Sequence, residues 1–204
     1  MSAHPAPRAR HLAPSVLLGA LVALLGLAMS LALAVGAVHL SLGEVVDALR
    51  GVAGGPAWHG EVVRQVRLPR ALVAALAGAG LGVSGAALQG LFRNPLADPG
   101  VLGVSSGATL GAVLALYLAP ARSLLLVPAA AFAVALVAAA LVYRIATRRG
   151  VTSSVTLLLA GIAVAGAFSA ATSLVLALSL AEWELGREVL SWMMGGLEGR
   201  GWEH

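Results

Sequence analysis

Charged residues in this chain fall between long apolar runs. No Asp, Glu, Lys or Arg occurs within residues 12–43, 71–92, 99–121, 123–143 or 150–181. Each run reaches the roughly 20 residues that carry a helix across a bilayer. The apolar positions do not alternate, which argues against membrane-barrel strands. Five helical spans are predicted, near 14–38, 66–92, 99–119, 123–146 and 152–180. The loop 39–63 holds Gly51, Gly54, Gly55 and Pro56 with Glu44, Asp47 and Glu61, and a short surface helix is expected within it. A second polar region, 182–204, carries Glu182, Glu184, Arg187 and Glu188 ahead of Trp-Met-Met-Gly-Gly. The expected fold class is all-α: a polytopic transmembrane helical bundle, with residues 1–204 forming a single domain.

Composition agrees with this reading. Of 204 residues, 59% are hydrophobic and 11% charged, and the mean hydropathy is +0.93; a soluble domain carries about 25% charged residues. With no cysteine, disulfides and thiolate metal sites are excluded, and no metal or cofactor is expected. All 13 basic residues are arginine. A P-loop needs a lysine on the β/γ-phosphates, so ATP chemistry is not expected within these residues. The net charge is only +4, and the arginines stand at the ends of apolar runs. They read as snorkelling and topology signals, not as a nucleic-acid surface. The apolar stretch from Ser15 to Val38 exceeds the roughly 7–15 residues of a secretory h-region, so a retained first span is expected. With the N-terminus inside, six arginines lie inside and seven outside. The positive-inside rule then does not decide the orientation, and the triplet Arg64, Arg67 and Arg70 makes the difference.

Glycine spacing specifies packing. Gly103, Gly107 and Gly111 recur every four residues, as do Gly78 and Gly82. Such ridges let helix backbones approach closely in lipid. They suit packing inside one subunit, a pathway wall or a dimer seam.

Four short motifs carry candidate chemistry, each with a plainer alternative. In Asn94–Gly100, NPLADPG, the prolines push Asn94 and Asp98 out of helical geometry. The next helix can then begin near Pro99 or Gly100, with Asp98 as N-cap. The turn is a tight connection or a gate-forming one, since irregular backbone at membrane depth survives only in protein or beside water. In Arg67-Leu68-Pro69-Arg70, Pro69 suits a first helical turn. The two arginines either snorkel to lipid phosphates or form a docking site for carboxylates, which a guanidinium fork suits. Gly103-Val104-Ser105-Ser106-Gly107 matches the G-x-S-x-G of a hydrolase elbow. However, no strand precedes it, and His4, His11, His39, His59 and His204 all lie outside the spans that follow. In Arg148–Ser154, Thr152 or Ser153 can cap the fifth span; the hydroxyls could also line a pathway mouth.

RLPR at 67–70, GAGLGVSGAALQGLFRNPLADPGVLGVSSGA at 78–108, TLLLAGIA at 156–163 and WMMGG at 192–196 together resemble the FecCD-type permeases. These are membrane subunits of bacterial ABC importers for iron-siderophores, haem and cobalamin. The resemblance implies a ten-span fold, of which about five spans are here, and a chain truncated at its C-terminus. It implies a homodimer with a second permease copy, two cytoplasmic ATPase subunits, and a periplasmic or lipid-anchored substrate-binding protein. It also implies an inner-membrane location with a cytoplasmic N-terminus. By motif position, Arg67 and Arg70 match arginines that dock the binding protein. Asn94 and Leu96 match residues of a cytoplasmic gate. Ser153 and Ser154 align with a polar gate segment, although Val155 stands where a hydroxyl is expected. An intramembrane serine hydrolase and a secondary transporter are the alternative readings.

Overall fold

A computed structural model describes residues 13–52, 56–95, 97–119, 125–197, 199, 201 and 202. In chain order its elements are α1 (Pro14–Ala34), α2 (Leu42–Arg50), α3 (Ala57–Glu61), a π-helical turn (Val62–Arg67) and α4 (Leu68–Phe92). A 3-10 turn (Pro99–Leu102), α5 (Val104–Leu118) and α6 (Leu126–Ala146) follow. A small hairpin of β1 (Thr147–Arg148) and β2 (Val151–Thr152) leads into α7 (Ser154–Ser179) and α8 (Trp183–Met194). The protein is an all-α polytopic helical bundle. Four described stretches are long and apolar enough to cross a membrane: Pro14–Ala34, Trp58–Phe92, Leu126–Ala146 and Ser154–Ser179.

The third expected span takes a different form. Asp98 does cap a helical turn, its Oδ1 accepting from the Gly100 amide at 2.7 Å, but the turn is a short 3-10 one. Gly103 then adopts φ +74° and interrupts the helix. The α-helix that follows has 15 residues, about 22 Å at 1.5 Å per residue, short of a roughly 30 Å hydrocarbon core. The fifth span also starts late. Arg149 and Gly150 both have positive φ, 51° and 80°, the pattern of a type I′ hairpin turn. β1 and β2 therefore pair, Thr147 with Thr152, and α7 begins after them.

The chain divides into two compact units, Met1–Ala74 with Gly199–Glu203, and Ala75–Glu198. In the first, Leu33, Leu40, Val45, Ala48, Val63 and Ala71 form one cluster. Ser41 and Glu44 make a reciprocal capping box that starts α2, and Gly51, at φ 75°, ends it. Most of α1 buries nothing. Leu17, Leu18, Leu21, Leu24 and Leu25 are all exposed, which suits lipid rather than water.

In the second unit, α5, α6, α7 and α8 pack together. Ala138, Val142, Ala160 and Val164 join α6 to α7; Val113, Leu116 and Val189 join α5 to α8. Lipid is as apolar as leucine, so close packing, not exclusion from water, must hold these helices. The glycines of α5 permit it. A Cβ on Gly107 would stand 2.8 Å from Ala138 Cβ, and one on Gly111 would overlap Ala130 O and lie 2.9 Å from Val134 Cβ. Gly103 faces Gly161 O and Ala165 N of α7. The buried hydroxyls of Thr172 and Ser179 donate to Phe168 O and Val175 O one turn back, so neither is left unsatisfied. Gly78 and Gly82 differ from the expected ridge. A Cβ at either meets nothing within 4 Å, so among the described residues they have no close neighbour.

These contacts predict opposite outcomes at two glycines. Gly111→Val should destabilise the chain by about 1–3 kcal/mol through overpacking. Gly78→Ala should be neutral, or stabilise by up to about 1 kcal/mol through helix propensity. Thermal unfolding in detergent measures both; equal losses would contradict the packing described.

Candidate functional site

Proline dictates the geometry of the first unit's Arg-Leu-Pro-Arg corner. Pro69 has no amide hydrogen, so it cannot close a helical bond onto a preceding carbonyl. The Leu68 amide bonds to Val63 O, five residues back, which makes the turn π-helical. In that register the carbonyl of Arg64 would pair with residue 69, which has nothing to donate. The indole of Trp202 supplies the missing donor, Nε1 to Arg64 O at 2.8 Å.

The wide turn aims Arg67 at the end of α1. Its Nη1 donates to Leu33 O at 2.7 Å and Ala34 O at 2.9 Å, and Nη2 donates to Val38 O. These carbonyls include last-turn groups of α1 that have no helical partner, and a cation there also suits the helix dipole. Gly36 leaves room, since a Cβ would stand 2.8 Å from Nη2. Arg67, matched by motif to docking, thus has its guanidinium engaged within the chain. Arg70 is half-buried, and its Nε, itself buried, has no hydrogen-bond partner among the described residues. Arg64 is exposed, with Nε donating to Gly60 O at 3.3 Å. Nearby, Glu44 Oε1 lies 3.3 Å from His59 Nδ1. Hydrogen bonds from the Ser41 amide and hydroxyl, with a smaller contribution from His59, hold Glu44 below the usual carboxylate range.

The NPLADPG turn belongs to the second unit. Arg93 takes φ 48°, its amide bonds Gly90 O, and the Asn94 amide bonds Gln89 O. That is a Schellman closure of α4 with arginine at the left-handed position that glycine usually fills. The Ala97 amide returns to Asn94 O at 3.1 Å, closing a turn. Leu96, the other turn residue assigned to the gate, lies outside the described residues. A cleft of 540 Å³ opens beside the turn, lined among others by Gly82, Gly85, Gln89, Asp98, Gly100 and Ser105. The structure thus brings the open glycine face of α4, the turn and the start of α5 together. Ser153 caps α7, its Oγ accepting from the Thr156 amide at 3.4 Å. Ser154 is the helix's first residue, and neither serine lines the cleft.

The G-x-S-x-G match has no elbow geometry. Ser105 and Ser106 sit in the first turn of α5, after a 3-10 turn and not a strand, and Ser106 Oγ donates to Gly103 O. Residues 75–198 contain no histidine to act as base. Among the described residues no cluster of three or more His, Asp or Glu could hold a metal. Sequence reasoning misses Trp202, whose signal is a proline five residues after a carbonyl that needs a donor.

The sequence model of the FecCD transport family matches residues 14–204. The chain is 49% identical to the cobalamin import system permease BtuC of Halobacterium salinarum, over 69% of this chain and 37% of that one. It is 40% identical to the achromobactin transport permease CbrC of Dickeya dadantii, over 89% and 51%. It is 35% identical to the Fe(3+)-citrate import permease YfmE of Bacillus subtilis, over 85% and 50%. A solved structure described as an inward-facing, metal-chelate type ABC transporter is 34% identical. It superposes with a TM-score of 0.77 over 94% of this chain and 56% of that one. The chain spans about half the length or less of these curated relatives.

Two predictions rest on this geometry. Trp202→Phe should cost about 0.5–1.5 kcal/mol by removing the exposed hydrogen bond to Arg64 O. In a Pro69→Ala background, where an amide is restored, the cost should shrink, and a double-mutant cycle in thermal unfolding measures the coupling. Because the carboxyl of Glu44 is held low, its contribution to α2 is full above the usual carboxylate range. It is lost as pH falls through the lowered value. The protection factor of the Glu44 amide, taken against the intrinsic exchange rate at each pH, should therefore fall on acidification, and Ser41→Ala should flatten that response.

Proposed function

The chain belongs to the FecCD transport family, and from that membership we propose that it is permease sequence of an ABC importer for an iron-siderophore, haem or cobalamin. The observation that carries this reading is joint agreement in sequence and fold. The family match covers residues 14–204, and the likeness to an ABC transporter of metal-chelate type covers 94% of the chain at 34% identity. Relatives named for cobalamin, ferric citrate and achromobactin import favour a bulky chelate or corrinoid as cargo.

In this reading the chain pairs with a second permease copy, and its spans contribute to the translocation pathway in a bacterial inner membrane, with the N-terminus cytoplasmic. The Arg67–Arg70 corner docks a periplasmic or lipid-anchored binding protein. Asn94, Leu96, Ser153 and Ser154 belong to the cytoplasmic gate, and the cleft beside NPLADPG is the space next to it. Gly78 and Gly82, open among the described residues, face a helix of the complete assembly. ATP hydrolysis belongs to cytoplasmic ATPase subunits, in keeping with the absence of lysine here. The chain is a transport subunit and not an enzyme. The lack of a base or elbow at Ser105 disfavours the hydrolase alternative.

Uptake of labelled cobalamin and of a ferric siderophore, in cells lacking their own importers, tests this. The permease should support uptake of one class only when its ATPase and binding protein are co-expressed. An ATPase variant without its phosphate-binding lysine should reduce uptake to background. Uptake that persists without the ATPase would favour a secondary transporter and sink the proposal.

A further inference from the structure

The nine-residue helix α2 has more apolar surface than its protein contacts cover. Val45 and Ala48 are buried in the cluster with Leu33, Leu40, Val63 and Ala71. Leu42, Val46 and Leu49, spaced i, i+4 and i+7, share the adjoining face. There they stay 61%, 42% and 45% exposed. Gly43, Asp47 and Arg50 fall on a third side. We propose that α2 is an interfacial helix, lying along the boundary layer of the bilayer with Leu42, Val46 and Leu49 against acyl chains. This needs only the membrane-spanning fold and holds whatever the chain transports.

The depth of α2 follows from α1. The 21 residues of α1 span about 32 Å at 1.5 Å per residue, close to a hydrocarbon core of roughly 30 Å. Its last turn therefore sits at the edge of that core. Leu33, in that turn, belongs to the same buried cluster as Val45 and Ala48, so α2 is held at that level. The lipid-facing surface also continues along the chain. Leu27, Leu31 and Val35 keep apolar surface exposed to the end of α1, and Leu42, Val46 and Leu49 resume it just beyond. Glu44, on the side of α2 away from that face, fixes the roll of the helix. It bonds Ser41 and lies 3.3 Å from His59 Nδ1. The half-exposed indole of Trp58 stacks edge-on against His59 at 4.1 Å, and indoles favour the headgroup layer. The capping box and Gly51 close both ends of α2, which suits a helix with little water around it. Three side chains fall far short of the roughly 1,000 Å² of a stable protein contact. With Glu44 and Asp47 against Arg50, the attachment is apolar and owes little to anionic headgroups.

The test labels single cysteines with a small fluorophore in the permease, reconstituted in phosphatidylcholine nanodiscs. Lipids brominated high on the acyl chain should quench Val46→Cys and Leu49→Cys at least about twofold more than lipids brominated near the chain end. Aqueous iodide should quench Gly43→Cys strongly and these two weakly. Phosphatidylglycerol should leave the lipid quenching unchanged. A second measurement needs no label. Val46→Gln raises intrinsic helix propensity, so on a water-facing helix it would slow hydrogen exchange at the Val45 amide, which donates to Ser41 O. Against acyl chains it should instead speed that exchange several-fold, while Val46→Leu leaves it at the parent rate and guards against a folding artefact. Iodide quenching at Val46 and Leu49 would place the face in water and overturn the proposal. Shielding from both quenchers would place it under protein and overturn it equally. So would lipid quenching that appears only with phosphatidylglycerol, or exchange in Val46→Gln that is slower than or equal to the parent's.

Discussion

The Arg67 guanidinium, seated on the carbonyls of Leu33, Ala34 and Val38, answers a constraint that recurs along this chain. An apolar helix that ends near lipid leaves carbonyls without helical partners, and each needs a donor. α1 ends without a glycine C-cap or a basic residue in its last turn, so the donor comes from about 30 residues away. The π turn exists for a related reason. Pro69 withdraws an amide, Leu68 reaches back to Val63, and Trp202 closes the carbonyl that remains. At the far end of α4 the problem is solved locally, by Arg93 in a left-handed conformation that lets two amides return to Gly90 and Gln89. Two helix ends and one π turn within a helix thus use three donors: a guanidinium, a backbone pair and an indole.

Between the ends, the second unit depends on closeness. With no water to exclude between helices in lipid, attraction is short-ranged and the backbones must approach. Gly107 and Gly111 put α5 against α6 at distances a methyl group would spoil, and Gly103 does the same toward α7. Gly103 also carries φ +74°, so one residue both breaks the span and admits its neighbour. The glycines of α4 have the same sequence spacing and, among the described residues, no such neighbour. Spacing identifies a surface that permits close approach, but not what approaches it.

That distinction explains how far the sequence could be read. The apolar runs were legible because their signal is local: length and absence of charge. The caps at Asp98 and Ser153 were legible for the same reason, since a cap bonds within three residues. The 147–152 hairpin and the Arg93 closure were not, because each places an arginine at positive φ, where glycine or asparagine is the usual marker. The tie from Arg67 was invisible because its partners are carbonyls, which every residue has, at a sequence separation of 29–34. At the site, motif spacing located the turn and the Arg-Leu-Pro-Arg corner. It could not tell an arginine facing a partner from one already engaged by its own backbone.

The charge distribution bears on how such a chain takes part in transport. Its spans are almost free of ionisable groups, and it has no lysine for a phosphate loop. Without lysine these residues cannot form a P-loop. A conformational equilibrium in such a chain shifts only through partners that bind its states unequally. Those partners must act where rigid and distinctive surface is available, and a rigid surface needs satisfied helix ends beneath it. The corner at Arg64–Arg70 meets that requirement through the ties from Arg67 and Trp202. The cleft beside NPLADPG meets it through the Arg93 closure and the Asp98 cap on either side of the turn. The donors that satisfy stray carbonyls are therefore also what gives each candidate contact a fixed shape.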